Sequence, residues 1–192
     1  MQLENRKALV TGAAGGIGQA IVARLQAEGA MVAASDLDLA ASAANVLIPG
    51  DLRDTGYANG LPKAAHDALG GLDIVVNNAG WTHRNKPMLE VSEEEYDRLY
   101  DINVRSIFHM TRAIVPVMRQ QGGGVILNIG STAGIRPRPG LTWYNSTKGA
   151  INLLSKSMAV ELAPDKIRVN CVAPVIGATA LLESFMGLPD TP

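Results

Sequence analysis

The first 36 residues constrain the fold most, because a strand pattern, a glycine-rich turn and a helix pattern follow one another there. Residues 7–11 form a short apolar run that stops at Gly12, as a buried parallel strand does before a turn. Apolar residues then recur at helical spacing as far as Gly29. The turn between them contains Gly12, Gly15, Gly16, Ile17 and Gly18. Such a turn lets backbone N–H groups approach a pyrophosphate closely, although a tight loop without a ligand needs glycines too.

A second strand pattern over residues 30–35 ends in Asp36. In a dinucleotide-binding βαβ unit, an acidic residue about 20 positions after the glycine-rich turn accepts hydrogen bonds from the adenosine ribose. Its carboxylate would repel the extra phosphate of NADP, and neither Ala14 nor Leu37 supplies a compensating base. NAD is therefore the predicted cofactor. The alternative is that Asp36 caps a short helix predicted over residues 37–44.

The alternation of strand and helix patterns continues along the chain. Further strands are predicted at residues 46–48, 72–76, 125–129 and 167–172, and helices at 61–69, 92–115, 143–156 and 180–186. Ser92 and Glu95 form a capping box, and Pro116 is expected to kink or end the long helix near Val115. The pattern predicts an α/β fold with one doubly wound (Rossmann) parallel sheet in three layers, α/β/α.

Small and polar residues follow several predicted strands, where ligands bind in doubly wound sheets. Asp51 and Leu52 could flank an adenine, although an Asx turn explains Asp51 equally well. Residues 77–80, two asparagines followed by Ala79 and Gly80, suit either close passage of a ligand or an ordinary turn. Ser131 follows the fifth strand, and its hydroxyl could bind a substrate oxygen.

Tyr144 and Lys148 are four positions apart in a predicted helix, so they lie on one face. A positive charge beside a phenol favours the phenolate, which makes the pair a plausible acid/base, although such pairs also occur as surface contacts. Asn103 is a small amide on the apolar stripe of the long helix. A buried amide must be hydrogen-bonded, and spacing alone leaves its role open between structure and catalysis.

Composition limits the remaining possibilities. The 192 residues are 47% hydrophobic and 18% charged, which predicts one packed domain over residues 1–192. Seventeen basic residues against 18 acidic ones indicate neither nucleic acid nor an anionic membrane as a partner. The single Cys171 excludes an internal disulfide, and the polar amino terminus favours the cytoplasm. The three histidines lack ligand-type spacing, so no metal site is predicted.

Taken together, the motifs resemble the short-chain dehydrogenases/reductases of the compact single-domain type. Residues 11–18 look like that family's TGxxxGIG loop, and residues 77–80 reproduce its NNAG segment. Asn103, Ser131, Tyr144 and Lys148 fall where the family carries its catalytic tetrad. The resemblance covers nearly the whole chain.

The resemblance implies an oxidoreductase that transfers hydride between NAD(H) and a secondary alcohol or ketone, with Tyr144 as general acid/base. Ser131 would hydrogen-bond the substrate oxygen, Lys148 would lower the pKa of the phenol and bind the nicotinamide ribose, and Asn103 would hold a water. Asn78, Ala79, Gly80, Pro174 and Thr179 would contact the cofactor. A homo-oligomer, dimer or tetramer, is also implied.

Two features depart from the family pattern. Val175 follows Pro174 where the family usually has glycine, and the chain stops at Pro192 where members usually continue through a last strand. A longer intact protein is therefore expected. The alternatives are a catalytically silent dinucleotide-binding protein, a 3-oxoacyl-thioester reductase, or a sugar-nucleotide epimerase or dehydratase. The side chains expected to line the substrate lie in loops: Trp81, His83, Ile135, Arg136, Leu141 and Trp143.

Overall fold

The computed structural model describes residues 1–175, 177 and 181–187, which fold around one parallel sheet of six strands. The strands are β1 (Lys7–Thr11), β2 (Met31–Ser35), β3 (Val46–Leu47), β4 (Ile74–Asn77), β5 (Gly124–Ile129) and β6 (Ile167–Val172). Their order is β3-β2-β1-β4-β5-β6, so the direction of winding reverses between β1 and β4. A ligand crevice is expected outside the carboxyl ends of these two strands. The predicted doubly wound sheet is confirmed.

Helices connect the strands and cover the sheet. They are α1 (Gly16–Ala27), α2 (Thr55–Leu69), α3 (Glu93–Tyr100), α4 (Ser106–Gln120), α5 (Thr142–Leu162) and α6 (Leu182–Met186). A π-helical turn, Asp101–Arg105, joins α3 to α4, so the predicted long helix is continuous but not regular. The capping box of Ser92 and Glu95 is present at the start of α3.

Both faces of the sheet are buried, and the side chains of β1 show how. Leu9 packs in a cluster with apolar residues of α2, α4 and α5, whereas Ala8 and Val10 pack in a second cluster with residues of α1. Alternate residues of a strand point to opposite faces, which explains why this parallel strand is continuously apolar. The result is the predicted three-layer arrangement.

The helix predicted over residues 37–44 is wrong. The backbone there forms turns and bends, because short polar side chains bond nearby backbone N–H groups and compete with a helix. Asp36 Oδ1 accepts from Leu37 N at 2.7 Å, and Asp38 Oδ1 accepts from Ala40 N at 2.9 Å. Asp36 therefore caps no helix in this region.

Two helix boundaries also differ from the predicted ones. Asp54 accepts a hydrogen bond from Tyr57 N at 2.8 Å and caps α2, which begins at Thr55 rather than at residue 61. Pro116 does not end α4, which continues to Gln120. A proline inside a helix costs about 3 kcal/mol, and burial of Val115 and Met118 against the core opposes that cost.

Within the described ranges, the helices are too short or too polar for any of them to cross a lipid bilayer.

Candidate dinucleotide and substrate site

A cavity of about 320 Å³ lies at the carboxyl ends of the strands, where the winding of the sheet reverses. The glycine-rich turn and the ends of β2 and β4 form one part of it, and residues of α3, α5 and α6 form another. Most of the predicted site residues line this cavity: Gly12, Gly16, Ile17, Gly18, Asp36, Asp51, Leu52, Asn78, Ala79, Gly80, Ser131, Tyr144, Lys148 and Pro174. Asn103 lies beside it, and Thr179 falls outside the described residues.

The glycine-rich turn has the geometry that an anion at a helix N-terminus needs. Gly12 has a φ of +63°, and a Cβ on Gly18 would lie 2.0 Å from the carbonyl oxygen of Gly12. The turn can therefore close only with glycine at position 18. Gly15 caps α1 without a side-chain hydrogen bond, and the first turn of α1 contains no acidic residue. Free N–H groups and the positive end of the helix dipole thus face the cavity and suit a pyrophosphate.

Thr11 and Asn78 fix this turn against the end of β4. Thr11 Oγ1 accepts hydrogen bonds from Asn78 N and Ala79 N, both at 3.1 Å. Asn78 Nδ2 donates to the carbonyl oxygens of Thr11 at 3.0 Å and Gly12 at 2.9 Å. The side-chain amide of Asn78 therefore holds the two loops together.

Asp36 lies at the end of β2 beside the glycine-rich turn. Its Oδ2 accepts a hydrogen bond from Ala14 N at 2.9 Å, which ties the turn to β2. The carboxylate also lines the cavity and is only partly buried. It is therefore placed where a ribose hydroxyl could donate to it.

Asp51 forms the Asx turn that the sequence left open. Its Oδ1 accepts from Arg53 N at 2.9 Å, and both carboxylate oxygens also bind the Arg53 guanidinium. The hydrogen bonds from this arginine lower the pKa of Asp51. The carboxylate still lines the cavity, next to Leu52.

The Tyr57 side chain supports this part of the cavity from below, and nothing in the sequence pointed to it. Its ring packs on Gly50, where an added Cβ would lie 2.1 Å from the ring. Its hydroxyl donates to Ile48 O at 2.6 Å and is bonded to Ser35 Oγ at 2.8 Å. Tyr57 thereby joins the ends of β2 and β3.

Tyr144 and Lys148 occupy one buried face of α5, with exposures of 6% and 4%. Burial raises the pKa of Tyr144 to about 12, whereas the neighbouring Ser131 hydroxyl and the positive charge of Arg138 act to lower it. The sequence led us to expect that Lys148 lowers this pKa, and the structure shows the opposite net direction. The reason is that removing the phenol from water disfavours the phenolate more than the neighbouring groups favour it.

Lys148 lines the cavity beside Tyr144. Its Nζ donates to Ile129 O at 2.9 Å and lies 5.7 Å from the centroid of the Tyr144 ring. Burial lowers the pKa of Lys148 to about 8, and Cys171 opposes this shift slightly. Two further donor hydrogens of Nζ remain for a ligand in the cavity.

Asn103 is fully buried in the π-helical turn. Its Oδ1 accepts from Trp81 N at 2.8 Å, and its Nδ2 donates to Trp81 O at 3.0 Å and to Thr147 Oγ1 at 3.0 Å. A Cβ on Gly80 would lie 3.6 Å from both Asn103 Oδ1 and Lys148 Nζ, so the two side chains approach the same point. The amide joins the loop after β4 to α5.

Ser131 is buried at the end of β5. Its Oγ accepts from Ala133 N at 3.0 Å and donates weakly to Pro174 O at 3.4 Å. These bonds orient the hydroxyl towards the segment after β6 while leaving it able to interact with Tyr144.

Apolar side chains enclose the end of the cavity near Tyr144. The ring of Phe185 in α6 meets the Tyr144 ring edge-on, with centroids 4.9 Å apart. Trp81 also lines the cavity, and the guanidinium of Arg98 stacks over its ring at 4.4 Å. Of the six predicted substrate-lining residues, Trp81 lines the cavity and Leu141 packs with Tyr144. Two others have partners elsewhere and do not line the cavity: the Trp143 indole donates to Met88 O, and the buried His83 ring bonds Arg84 O.

A chain of buried amides behind the site was not predicted. Asn77 Nδ2 donates to Asn128 Oδ1 at 2.8 Å, and Asn128 Nδ2 donates to Ser155 Oγ at 2.9 Å. The chain joins β4, β5 and α5. It fixes the helix that carries Tyr144 and Lys148 to the middle of the sheet.

The fold and this cavity define a dinucleotide-binding α/β protein with a buried tyrosine and lysine at the closed end of its cleft. A family model described as short chain dehydrogenase matches residues 6–186. The chain belongs to the short-chain dehydrogenase/reductase family, whose members related to it are dehydrogenases acting on CH–OH groups.

Two curated relatives and one solved structure illustrate the similarity. A 4-formylbenzenesulfonate dehydrogenase of Comamonas testosteroni is 45% identical over 205 residues, covering 100% of this chain and 81% of the relative. A 3alpha-hydroxysteroid dehydrogenase of Mediterraneibacter gnavus is 35% identical, covering 96% and 79%. The crystal structure of a 3-ketoacyl-(acyl-carrier-protein) reductase of Brucella melitensis with NADH has a TM-score of 0.92 and 39% identity, covering 96% of this chain and 80% of that one.

Proposed function

We propose that the protein transfers hydride between NAD(H) and an alcohol or carbonyl substrate, with Tyr144 as the general acid/base. The observation that carries the proposal is the placement of Tyr144 and Lys148 on one buried face of the cavity that also contains the glycine-rich turn. Bound NAD(H) would supply the hydride acceptor or donor at its nicotinamide ring. The chain's own residues would handle the proton and the substrate oxygen.

Proton transfer would use the phenol of Tyr144. With a pKa raised to about 12, the phenol is protonated at neutral pH and can donate to a carbonyl oxygen as that oxygen gains negative charge. The Ser131 hydroxyl would turn from its long 3.4 Å bond with Pro174 O and donate a second hydrogen bond to the same oxygen. For alcohol oxidation the phenolate is needed, and the positive charge of Arg138 favours it, although burial opposes it more strongly.

Lys148 and Asn103 would support this step differently. The two unused donors of Lys148 Nζ suit ribose hydroxyls, so this residue would also orient the cofactor. The side chain of Asn103 is already occupied by Trp81 and Thr147. Any water held at this position would therefore bind the backbone of the π-helical turn rather than the amide.

Tyr144→Phe tests the assignment. We expect turnover to fall by at least about a hundredfold, because general acid/base groups contribute that much or more, while the dissociation constant for NADH changes little. Tyr100→Phe is the matched control, because its hydroxyl bonds Ser146 Oγ away from the cavity. Turnover retained in Tyr144→Phe would refute the role of Tyr144 as general acid/base. If the native chain turned over no compound of a broad substrate panel, a catalytically silent dinucleotide-binding protein would be favoured.

The preference for NAD over NADP is proposed from the carboxylate of Asp36 at the end of β2, with no basic side chain at Ala14 or Leu37. We expect the native chain to bind NADH more tightly than NADPH and Asp36→Ala to narrow the difference. Asp38→Ala is the control, because Asp38 is exposed and does not line the cavity. Equal affinities for the two cofactors in the native chain would contradict the account.

We propose that the carbonyl substrates of this protein include aldehydes. The Comamonas relative is named for a formyl compound, and others are named for a hydroxysteroid and a 3-ketoacyl-(acyl-carrier-protein). The aromatic rings of Trp81 and Phe185 at the end of the cavity suit an apolar substituent beside the reacting carbonyl. A panel of aldehydes, ketones and alcohols followed by NADH absorbance decides among these classes.

We also propose that the chain forms a homo-oligomer, as the family resemblance implies. Phe108 on α4 is 53% exposed, and Leu153 and Val160 on α5 are 66% and 79% exposed. Large apolar side chains on neighbouring helix surfaces suit an interface between copies. Light scattering of the purified protein measures its mass in solution and tests this proposal.

The cytoplasmic location stays a prediction.

A further inference from the structure

Helix α6, which packs on Tyr144 through Phe185, has only five residues and is too short to be stable alone. Isolated helices shorter than about 12 residues are marginal in water, because nucleation costs more than a few hydrogen bonds return. The last carbonyl groups of a helix also have no partner within it. The position of α6 must therefore depend on contacts outside the helix.

Arg84 and Asn85 supply such contacts from the loop that follows β4. The backbone N–H of Asn85 donates to Ser184 O at 2.8 Å, and Asn85 Nδ2 donates to Phe185 O at 3.2 Å. The guanidinium of Arg84 donates to Gly187 O, with Nη2 at 2.9 Å. Two consecutive residues thus bind three carbonyl groups at the carboxyl end of α6.

Asn85 also binds the loop that leads into α5. Its Nδ2 donates to Pro139 O at 3.0 Å, so one amino group bridges this loop and α6. The backbone N–H of Lys86 donates to Gly140 O at 3.1 Å. A Cβ on Gly140 would lie 1.9 Å from Asn85 Oδ1, so the amide packs closely against the same loop. Asn85 therefore fixes α6 relative to the helix that carries Tyr144.

The loop that contains Asn85 is itself attached to α3. Lys86 Nζ forms an ion pair with Glu95, whose two carboxylate oxygens lie 2.7 Å and 2.9 Å away. Glu95 belongs to the capping box of α3 and accepts a hydrogen bond from the backbone N–H of Ser92. The amide of Asn85 thus joins α6 to a segment that is anchored on its other side.

Phe185 connects the position of α6 to the chemistry of the site. Its ring meets the ring of Tyr144 edge-on, with centroids 4.9 Å apart, and Leu181 and Leu182 line the cavity nearby. With α6 in this place Tyr144 is 6% exposed. Displacement of α6 would remove the aromatic wall and admit water to the reacting oxygen, where water weakens electrostatic interactions.

We propose that Asn85 is a positioning residue, whose amide holds α6 against the loop before α5 so that Phe185 forms the wall of the substrate site beside Tyr144. The proposal rests on the proposed oxidoreductase function and adds the residue that completes the substrate side of the site. Asn85 does not line the cavity and would act through Phe185. A substrate needs α6 in place, so any fraction of chains with α6 displaced raises the apparent dissociation constant of the substrate.

Asn85→Asp removes the donor and nearly keeps the shape of the side chain. Its carboxylate would face the carbonyl oxygens of Pro139 and Phe185 and could not donate to them. Hydrogen exchange followed by mass spectrometry measures the effect on the peptide that contains residues 181–187. We expect exchange there to be at least about fivefold faster than in the native chain, because two neutral hydrogen bonds are lost.

Asn59→Asp is the matched control, because it adds the same charge at an exposed position of α2 that does not line the cavity. It should leave exchange at residues 181–187 unchanged. Peptides of β4 and β5 are a second reference and should exchange equally in Asn85→Asp and in the native chain. Unchanged exchange at 181–187 in Asn85→Asp would overturn the proposal. Equal acceleration in β4 and β5 would also overturn it, because the effect would then be a general loss of stability.

Asn85→Ala removes the same donor without adding charge, and the same results are expected for it. It decides the question if Asn85→Asp does not fold.

Steady-state kinetics test the consequence for the reaction, using NADH and an aldehyde or ketone that the native chain reduces. Asn85→Asp should raise the KM for this substrate at least about threefold and change kcat less than about twofold, because saturating substrate restores the position of α6. Asn59→Asp should change neither constant. A lower kcat with an unchanged KM would overturn the positioning role. If the native chain reduces none of the compounds, the exchange measurement still decides whether Asn85 holds α6, and only the proposed reaction fails.

Discussion

Replacing Lys148 with methionine should change how the stability of the protein depends on pH. Lys148 is 4% exposed, and burial lowers its pKa from 10.5 to about 8. A group whose folded-state pKa lies below its unfolded-state value binds fewer protons when folded, so stability rises with pH between about 8 and 10.5. Methionine has a similar length and no charge, so the variant lacks this contribution.

The magnitude follows from the two pKa values. The drop from 10.5 to about 8 corresponds to about 3 kcal/mol of folding free energy. Below pH 8 the ammonium is charged in both states and the penalty is fully present, and above pH 10.5 the penalty is gone. Between pH 7 and pH 10, the free energy of unfolding of the native chain should rise by about 2 to 3 kcal/mol relative to that of Lys148→Met.

Urea unfolding followed by the fluorescence of the two tryptophans measures this difference at pH 7, 8, 9 and 10. Titrations of other groups are common to both proteins and cancel in the comparison. Lys156→Met, on an exposed position of α5, is the matched control and should show no change in the difference with pH. This prediction would be refuted if the free energy of unfolding of the native chain, relative to that of Lys148→Met, stayed constant or fell as pH rises.

Three further variants test individual contacts. Gly18→Ala should unfold at lower temperature than the native chain and bind NADH at least about tenfold more weakly, because its Cβ would lie 2.0 Å from Gly12 O. Gly60→Ala is the control and should change neither property, because position 60 on α2 faces open space. Tyr57→Phe should lower the free energy of unfolding in urea by about 1–3 kcal/mol, since the Tyr57 hydroxyl bonds Ile48 O and Ser35 Oγ. It should also raise the KM for NADH without changing kcat, and an unchanged KM would show that Tyr57 does not support the cofactor side of the cavity. Asn103→Leu should cost about 1–3 kcal/mol in the same assay because Trp81 N and O lose their partner, and a stability equal to that of the native chain would show that the loop finds other partners.

The sheet could be predicted from the sequence because its strands are buried on both faces and therefore appear as short apolar runs. The apolar run at 7–11 coincides with β1. The strand predicted at 167–172 coincides with β6, in which Ile167 and Val169 are buried and Arg168 and Asn170 are exposed. The failed helix at 37–44 shows the limit of this approach. Its alanines favour a helix, but Asp36, Asp38 and Ser42 bond nearby backbone N–H groups, and this competition depends on side-chain orientations that a sequence does not give.

The cavity could be predicted where backbone conformation dictates residue type, as at Gly12 and Gly18. The cavity could not be predicted where packing between segments distant in sequence determines which residues support it. Tyr57 reaches Gly50 because α2 begins at Thr55, and the loop before α5 is held to that helix because Arg138 O accepts a hydrogen bond from Asn145 Nδ2. The raised pKa of Tyr144 likewise depends on how deeply α5 is buried, which spacing along one helix cannot show.

The hydrogen-bonded amides of Asn77 and Asn128 also restrict how the sheet can assemble. In the native register Asn77 lies opposite Asn128, and the second amide continues to Ser155. Sliding β5 by one residue along β4 would place Leu127 or Ile129 opposite Asn77 and strand both amides among apolar side chains, at about 1–3 kcal/mol for each group left unpaired. Valine, leucine and isoleucine in the rest of these strands would tolerate such a slip more readily. The two asparagines thus favour the native register of β4 and β5 over registers shifted by one residue.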